Sequence, residues 1–157
     1  MSNPETTYTA EPNSHVATVS AVIDAPKAAV YRAHTEIDLY LRWWGPRELT
    51  SKVEKFEPFT GGSWRITHVD PEGNEYGFRG VYHEVSADRI VHTFEFDGTP
   101  GHVSLETITF EEVDGKTKVT TLSVFQSVAD RDGMAQSGME EFAPIGMAQL
   151  QEVAASL

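Results

Sequence analysis

No cysteine occurs in these 157 residues, so disulfides, thiolate metal sites and a cysteine nucleophile are all excluded. Positive charge is scarce: 12 Lys and Arg stand against 24 Asp and Glu, a net charge of −12. That balance argues against nucleic acid or an anionic membrane as partner and favours a neutral or cationic one. No apolar run approaches the length of a membrane span. The polar stretch Met1 to Asn13 has neither a basic n-region nor an apolar h-region, so it does not read as a secretory signal. The expectation is a cytoplasmic chain with a flexible tail over residues 1–13 and one domain over 14–157. There is no Gly-x-Ser-x-Gly elbow for a nucleophilic serine and no phosphate-binding glycine loop of the usual patterns. The histidines at 15, 34, 68, 83, 92 and 102 never pair as His-x-His or His-x-x-x-His. No metal and no cofactor is expected.

What is present is enough for one hydrophobic core: 39% of residues are hydrophobic, an ordinary share for a globular domain of this length. The most unusual stretch is Trp43-Trp44-Gly45-Pro46. Neighbouring positions on a helix or strand point in different directions, so one packed face cannot bury both indoles. At least one belongs at a rim, a cavity mouth or a contact surface, where its body is dry and its N–H finds a partner. The pair reads either as a cap on the core or as the entrance of an internal pocket.

Around it the elements follow in order. Val16 to Asp24 alternates as a half-buried strand. Pro26 suits the first position of a helix continued by Val30, Ala33 and Ile37, and Thr35 with Asp38 resembles a capping box for a short second helix. Strands then run over Leu49–Phe56, Ser63–Val69, Tyr76–Glu84, Arg89–Phe96, Val103–Val113 and Lys116–Phe125, separated by tight-turn signals such as Asp114-Gly115. Ser127 and Asp130 open a long C-terminal helical segment whose apolar positions include Met134, Met139, Phe142, Leu150 and Val153. Pro144 predicts a kink or break there. The order predicts an α+β fold, a curved antiparallel sheet of about six or seven strands around one long helix. Where sheet and helix diverge, an apolar cavity opens.

Several stretches together resemble one family. They are Ile23-Asp24-Ala25-Pro26, Trp43-Trp44-Gly45-Pro46, Gly61-Gly62-Ser63-Trp64-Arg65, Asp70-Pro71-Glu72-Gly73, Phe78-Arg79-Gly80-Val81-Tyr82, Thr107-Ile108-Thr109-Phe110 and the segment from Ser127 to Glu140. The chain is similar to bacterial relatives of the C-terminal domain of the activator of heat-shock-protein-ninety ATPase, within the START-like superfamily of birch-pollen allergens and polyketide cyclases. The resemblance implies the helix-grip fold with a ligand cavity; fold alone implies no reaction. Phe142 and Pro144 depart from the family pattern. A phenylalanine turned inward shrinks the cavity, and a kink re-aims the helix.

The candidate cavity residues are Trp43, Trp44, Trp64, Tyr76, Phe78, Tyr82, Phe94, Phe96, Ile108, Met134, Met139 and Phe142. Tyr76, Phe78, Gly80 and Tyr82 share one strand face, and methionine adapts to irregular ligands. The same residues equally describe a plain aromatic core. Glu106 alternates with Ile108 and Phe110, and His92 with Phe94 and Phe96, so each is a candidate acid or base if it points inward. Edge twist and register slips favour solvent for both. Arg65 and Arg79 read as outer-face salt-bridge partners. Three functions compete. The first is binding of a small hydrophobic or amphipathic molecule by a monomer or homodimer. The others are stimulation of a chaperone ATPase, and cyclase, isomerase or hydrolase catalysis by an inward acid or His.

Overall fold

Side-chain alternation and tight turns build one antiparallel sheet of eight strands in the computed structural model, which describes residues 2–157. The strands are β1 (Thr6–Thr9), β2 (Val16–Ile23), β3 (Thr50–Phe56), β4 (Ser63–Val69), β5 (Glu75–Val85), β6 (Arg89–Phe96), β7 (Val103–Val113) and β8 (Lys116–Val124). Their order across the sheet is β1-β2-β8-β7-β6-β5-β4-β3. From β3 to β8 the chain is a meander, and β2 closes on β8 from Val16↔Val124 to Ile23↔Thr117. Asp114 and Gly115 both take positive φ, 51° and 79°, which matches the right-handed twist of the β7–β8 hairpin they join.

The eighth strand corrects the expected strand number. β1 arises from the stretch read as a tail, where Thr6, Thr7, Tyr8 and Thr9 pair with Ala21, Ser20, Val19 and Thr18. Threonine and tyrosine suit a pleated edge, but four such residues among polar neighbours are too short to show an alternation.

The helices are α1 (Lys27–Thr35), α2 (Ile37–Tyr40), α3 (Val128–Met134) and α4 (Glu140–Ala155). Pro26 caps α1 from just outside it. The capping box at Thr35 and Asp38 does not form. Thr35 turns back to donate to the Tyr31 carbonyl at 3.0 Å, and Glu36 precedes α2 without a side-chain cap. Ser127 does cap α3, its hydroxyl accepting from Asp130 N at 3.0 Å. The break in the C-terminal segment falls at Gly138, not at Pro144. One widened turn, Ala135–Met139, joins α3 to α4, and Gly138 adopts φ 100° within it. Pro144 then lies early in α4, where its missing N–H interrupts only the turn next to that break.

Leu150, Val153 and Ala154 of α4 are buried against Val30 and Ala33 of α1 and against Ile23, Ile66, Ile90, Phe110 and Val119 of the sheet. Two glutamines fasten the helix further. Gln151 accepts from Asp24 N at 2.8 Å, and Gln149 donates to the carbonyls of Trp43 and Gly45 at 2.8 and 3.1 Å. On the outer face, Arg65 pairs with Glu54 and Asp97, and Arg79 with Glu95.

Candidate functional site

On the N-terminal side of Leu150 the sheet and the helical segment part, and a cavity of about 340 Å³ opens. The Trp43–Pro46 stretch lines it at one side, and Met134, Met139, Phe142, Ala143, Gly146 and Met147 line it from α3, the widened turn and α4. Its volume is in the range of small-molecule sites and far exceeds what one water needs.

The two indoles divide their work. Trp43 is 7% exposed, donates its Nε1–H to the Ala33 carbonyl at 2.8 Å and packs on His34 and Tyr40. Trp44 is half-buried. It stacks on Tyr40 with ring centroids 5.3 Å apart, meets Phe78 edge-on at 5.5 Å, and lies against His68 at 4.8 Å. Gly45 is required beside it: φ is 87°, and a Cβ there would stand 2.7 Å from His68 Nε2.

One polar row crosses this apolar lining. Strand register places Ala17, Ser123, Glu106, His92 and Tyr82 side by side across β2, β8, β7, β6 and β5. Ser123 donates its hydroxyl to Glu106 Oε2 at 2.9 Å. His92 Nδ1 lies 2.9 Å from the Thr93 carbonyl, and Nε2 lies 3.6 Å from Glu106 Oε1, too far for a hydrogen bond. His34 reaches the cavity from α1, with Nδ1 2.8 Å from the Val30 carbonyl. Burial, with the nearby His92 a smaller cause, lowers the pKa of His34 to about 4, so it is neutral at pH 7. Burial also lowers the pKa of His68 and pushes the Tyr40 phenol well above its ordinary value, with Tyr82 and Glu106 adding to the latter. Among the described residues no Lys or Arg lines the cavity, and no group of three or more His, Asp or Glu is placed to hold a metal ion.

A family model described as "Activator of Hsp90 ATPase homolog 1-like protein" matches residues 24–155, nearly the whole chain. The chain belongs to that family. The solved structures it resembles include a protein from Rhodobacter sphaeroides at 24% identity, covering 98% of this chain and 100% of that one with a TM-score of 0.87. Another, from Arthrobacter aurescens, is 22% identical over 96% of this chain and 92% of that one, TM-score 0.85. A third, from Mycobacterium smegmatis, is 20% identical over 95% and 96%, TM-score 0.83. At these identities the likeness carries the fold. No curated protein matches the sequence.

In this member of the Activator of Hsp90 ATPase homolog 1-like family, Trp43, Trp44, Tyr76, Phe78, Phe94, Ile108, Met134, Met139 and Phe142 line the cavity. Trp64, Tyr82 and Phe96 do not. Trp64 is buried under Gly80 and backs Trp44 and Phe94, Tyr82 packs between Phe56 and His92, and Phe96 stacks behind Phe78. Glu106 and His92 point inward, against the expectation of solvent. The reason is register: Glu106 lies opposite both His92 and Ser123 in the middle of the sheet, where twist is shared and no edge is near. His34, His68, Tyr40, Ser104 and Ser123 also line the site and were missed. The signal for His34 was its place on the stripe of Val30, Ala33 and Ile37. For Ser104 and Ser123 it was the alternation they share with Ile108 and Val119.

Proposed function

We propose that this protein holds a small hydrophobic or amphipathic molecule in the cavity between the curved sheet and α4. One observation carries the reading: the cavity of about 340 Å³ has aromatic and methionine walls into which a few polar side chains are set, the row of His92, Glu106 and Ser123 among them. An apolar body gains from the walls and is oriented by the row. Stimulation of a chaperone ATPase draws on the family's description alone, and no residue of the site bears on it.

Native mass spectrometry and thermal-shift titration against a panel of small lipids, aromatics and polyketide-like compounds test this reading. A true ligand at 100 times its Kd raises stability by roughly 2.7 kcal/mol, and Tm by roughly 5–10 °C in a chain of this size. Trp44→Ala abolishes the shift, because Trp44 forms a cavity wall. A panel without a retained mass or a shift sinks the proposal. A second reading, proton transfer on the bound molecule, is favoured by the inward Glu106 and His92. Proton NMR of the bound compound in D2O checks it: a C–H signal that exchanges or a new isomer that appears with time, and neither in Glu106→Gln, supports catalysis.

A further inference from the structure

The polar row also restricts the kind of molecule that fits. A carbonyl oxygen only accepts, so His92 Nδ1, 2.9 Å from the Thr93 carbonyl, carries the ring proton. In the neutral ring Nε2 is then a bare acceptor, 3.6 Å from Glu106 Oε1, itself an acceptor. Glu106 Oε2 is occupied by the Ser123 hydroxyl, which leaves Oε1 without a donor. The same argument fixes His34: Nδ1 donates to the Val30 carbonyl, and Nε2 is an acceptor with no protein partner. Among the described residues only Trp64 Nε1 is a fully buried side-chain nitrogen or oxygen without a partner. The free atoms of His34, His92 and Glu106 therefore open onto the cavity they line.

Acceptors facing one space call for a donor. Charge selects among donors. The cavity holds one carboxylate and no Lys or Arg among the described residues, and the buried guanidinium of Arg131 is committed to the Val16 carbonyl and Asp132. A carboxylate or phosphate headgroup would meet Glu106 with no counter-charge. A protonated amine finds an anion and two imidazole acceptors. The net charge of −12 acts in the same direction at long range.

We infer that the ligand is an organic cation, an apolar or aromatic body bearing a protonated amine whose N–H groups bridge Glu106 Oε1 and His92 Nε2. This rests on the cavity-binding reading and specifies its headgroup. The opening of the cavity admits the body, and Ser104 and Tyr40 supply hydroxyls that rotate to serve either role.

Isothermal titration with three probes of one shape, 4-phenylbutylamine, 4-phenylbutan-1-ol and 4-phenylbutyrate at pH 7.5, tests the inference on the unmodified protein. The amine binds at least tenfold tighter than the alcohol, as a charge-assisted hydrogen bond predicts, and the carboxylate binds weakest. Glu106→Gln lowers amine affinity at least tenfold and leaves the alcohol within threefold; Ser123→Ala, which keeps the carboxylate, has the smaller effect on the amine. If alcohol or carboxylate equals the amine, the headgroup assignment is overturned while cavity binding stands. If none of the three binds, both readings fall. The ranking of probes does not depend on any variant, so a poorly folded Glu106→Gln protein leaves the inference testable.

Discussion

His34 concentrates the conflict between burial and chemistry in one side chain. It lies 4% exposed between Trp43 and Phe110, with ring centroids 4.7 and 4.9 Å away, and only its Nδ1–H is satisfied by protein. The native state therefore holds it neutral, with a pKa near 4 against 6.5 when unfolded. The linkage has a definite sign. Above pH 6.5 neither state binds the proton; below it the unfolded chain binds the proton first, and stability falls until the native ring also titrates. Between pH 7 and pH 4 this one group costs up to about 3 kcal/mol. Urea denaturation across that range should show the loss, and His34→Leu should reduce it. What remains is the contribution of His68, whose pKa burial also lowers, and toward pH 4 those of carboxylates such as Glu36 and Glu84 that their arginine partners hold below the usual range. A pH profile identical in His34→Leu removes His34 as the cause. The double tryptophan was legible at this scale: two adjacent rings divide between core and cavity wall. His34 was passed over although it continues the stripe of Val30, Ala33 and Ile37, because helical spacing gives the face of a polar residue and not its partners.

At the scale of elements, the informative comparison is between two glycines of the C-terminal segment. Gly133 lies inside α3 with negative φ, and a Cβ there would meet nothing within 4 Å. Gly138 takes φ 100° at the widened turn, and a Cβ would approach only Glu141 Oε2, at 3.9 Å. Neither site is crowded, so backbone conformation alone decides the sign. Gly133→Ala stabilises by roughly 0.5–1 kcal/mol, because it restricts the unfolded chain and favours helix. Gly138→Ala destabilises by roughly 1–3 kcal/mol, because alanine resists that φ. The second change also re-aims Met134, Met139 and Phe142, which line the cavity on either side of the turn, so ligand affinity falls with stability. Chemical denaturation of both variants checks the opposite signs. An equal effect would mean that the turn carries no conformational demand. From sequence, the long segment with a break was readable, but its place was assigned to Pro144. Proline is unambiguous as a breaker, whereas Gly138 reveals its role only through φ.

At the scale of the whole molecule, the curved sheet, the element order and the cavity follow from alternation, turns and helical stripe, and eight strands differ from seven only by β1. That small strand bears on the whole. β1 covers the edge of β2, Tyr8 lines the cavity, and the Ser2 carbonyl accepts from Gln151 Nε2 at 2.8 Å, linking the N-terminal segment to α4. Deleting residues 2–10 uncovers the backbone of Val16–Ile23, a run of alternating apolar residues with unpaired N–H and C=O groups. Such an edge is a template for another chain. The truncated protein should therefore melt lower and self-associate as concentration rises, and it should lose ligand affinity as the Tyr8 wall opens. Analytical ultracentrifugation with a melting curve at several concentrations reads both effects. The other free edge, β3, serves as the internal control, since it is present in both forms and carries Lys52 and Lys55, charges that discourage pairing. Truncation that leaves Tm and sedimentation unchanged would mean that β1 only lies on the sheet. Lowered stability with association, and no association in the full chain, would make β1 the element that closes this fold beside the cavity that Tyr8 lines.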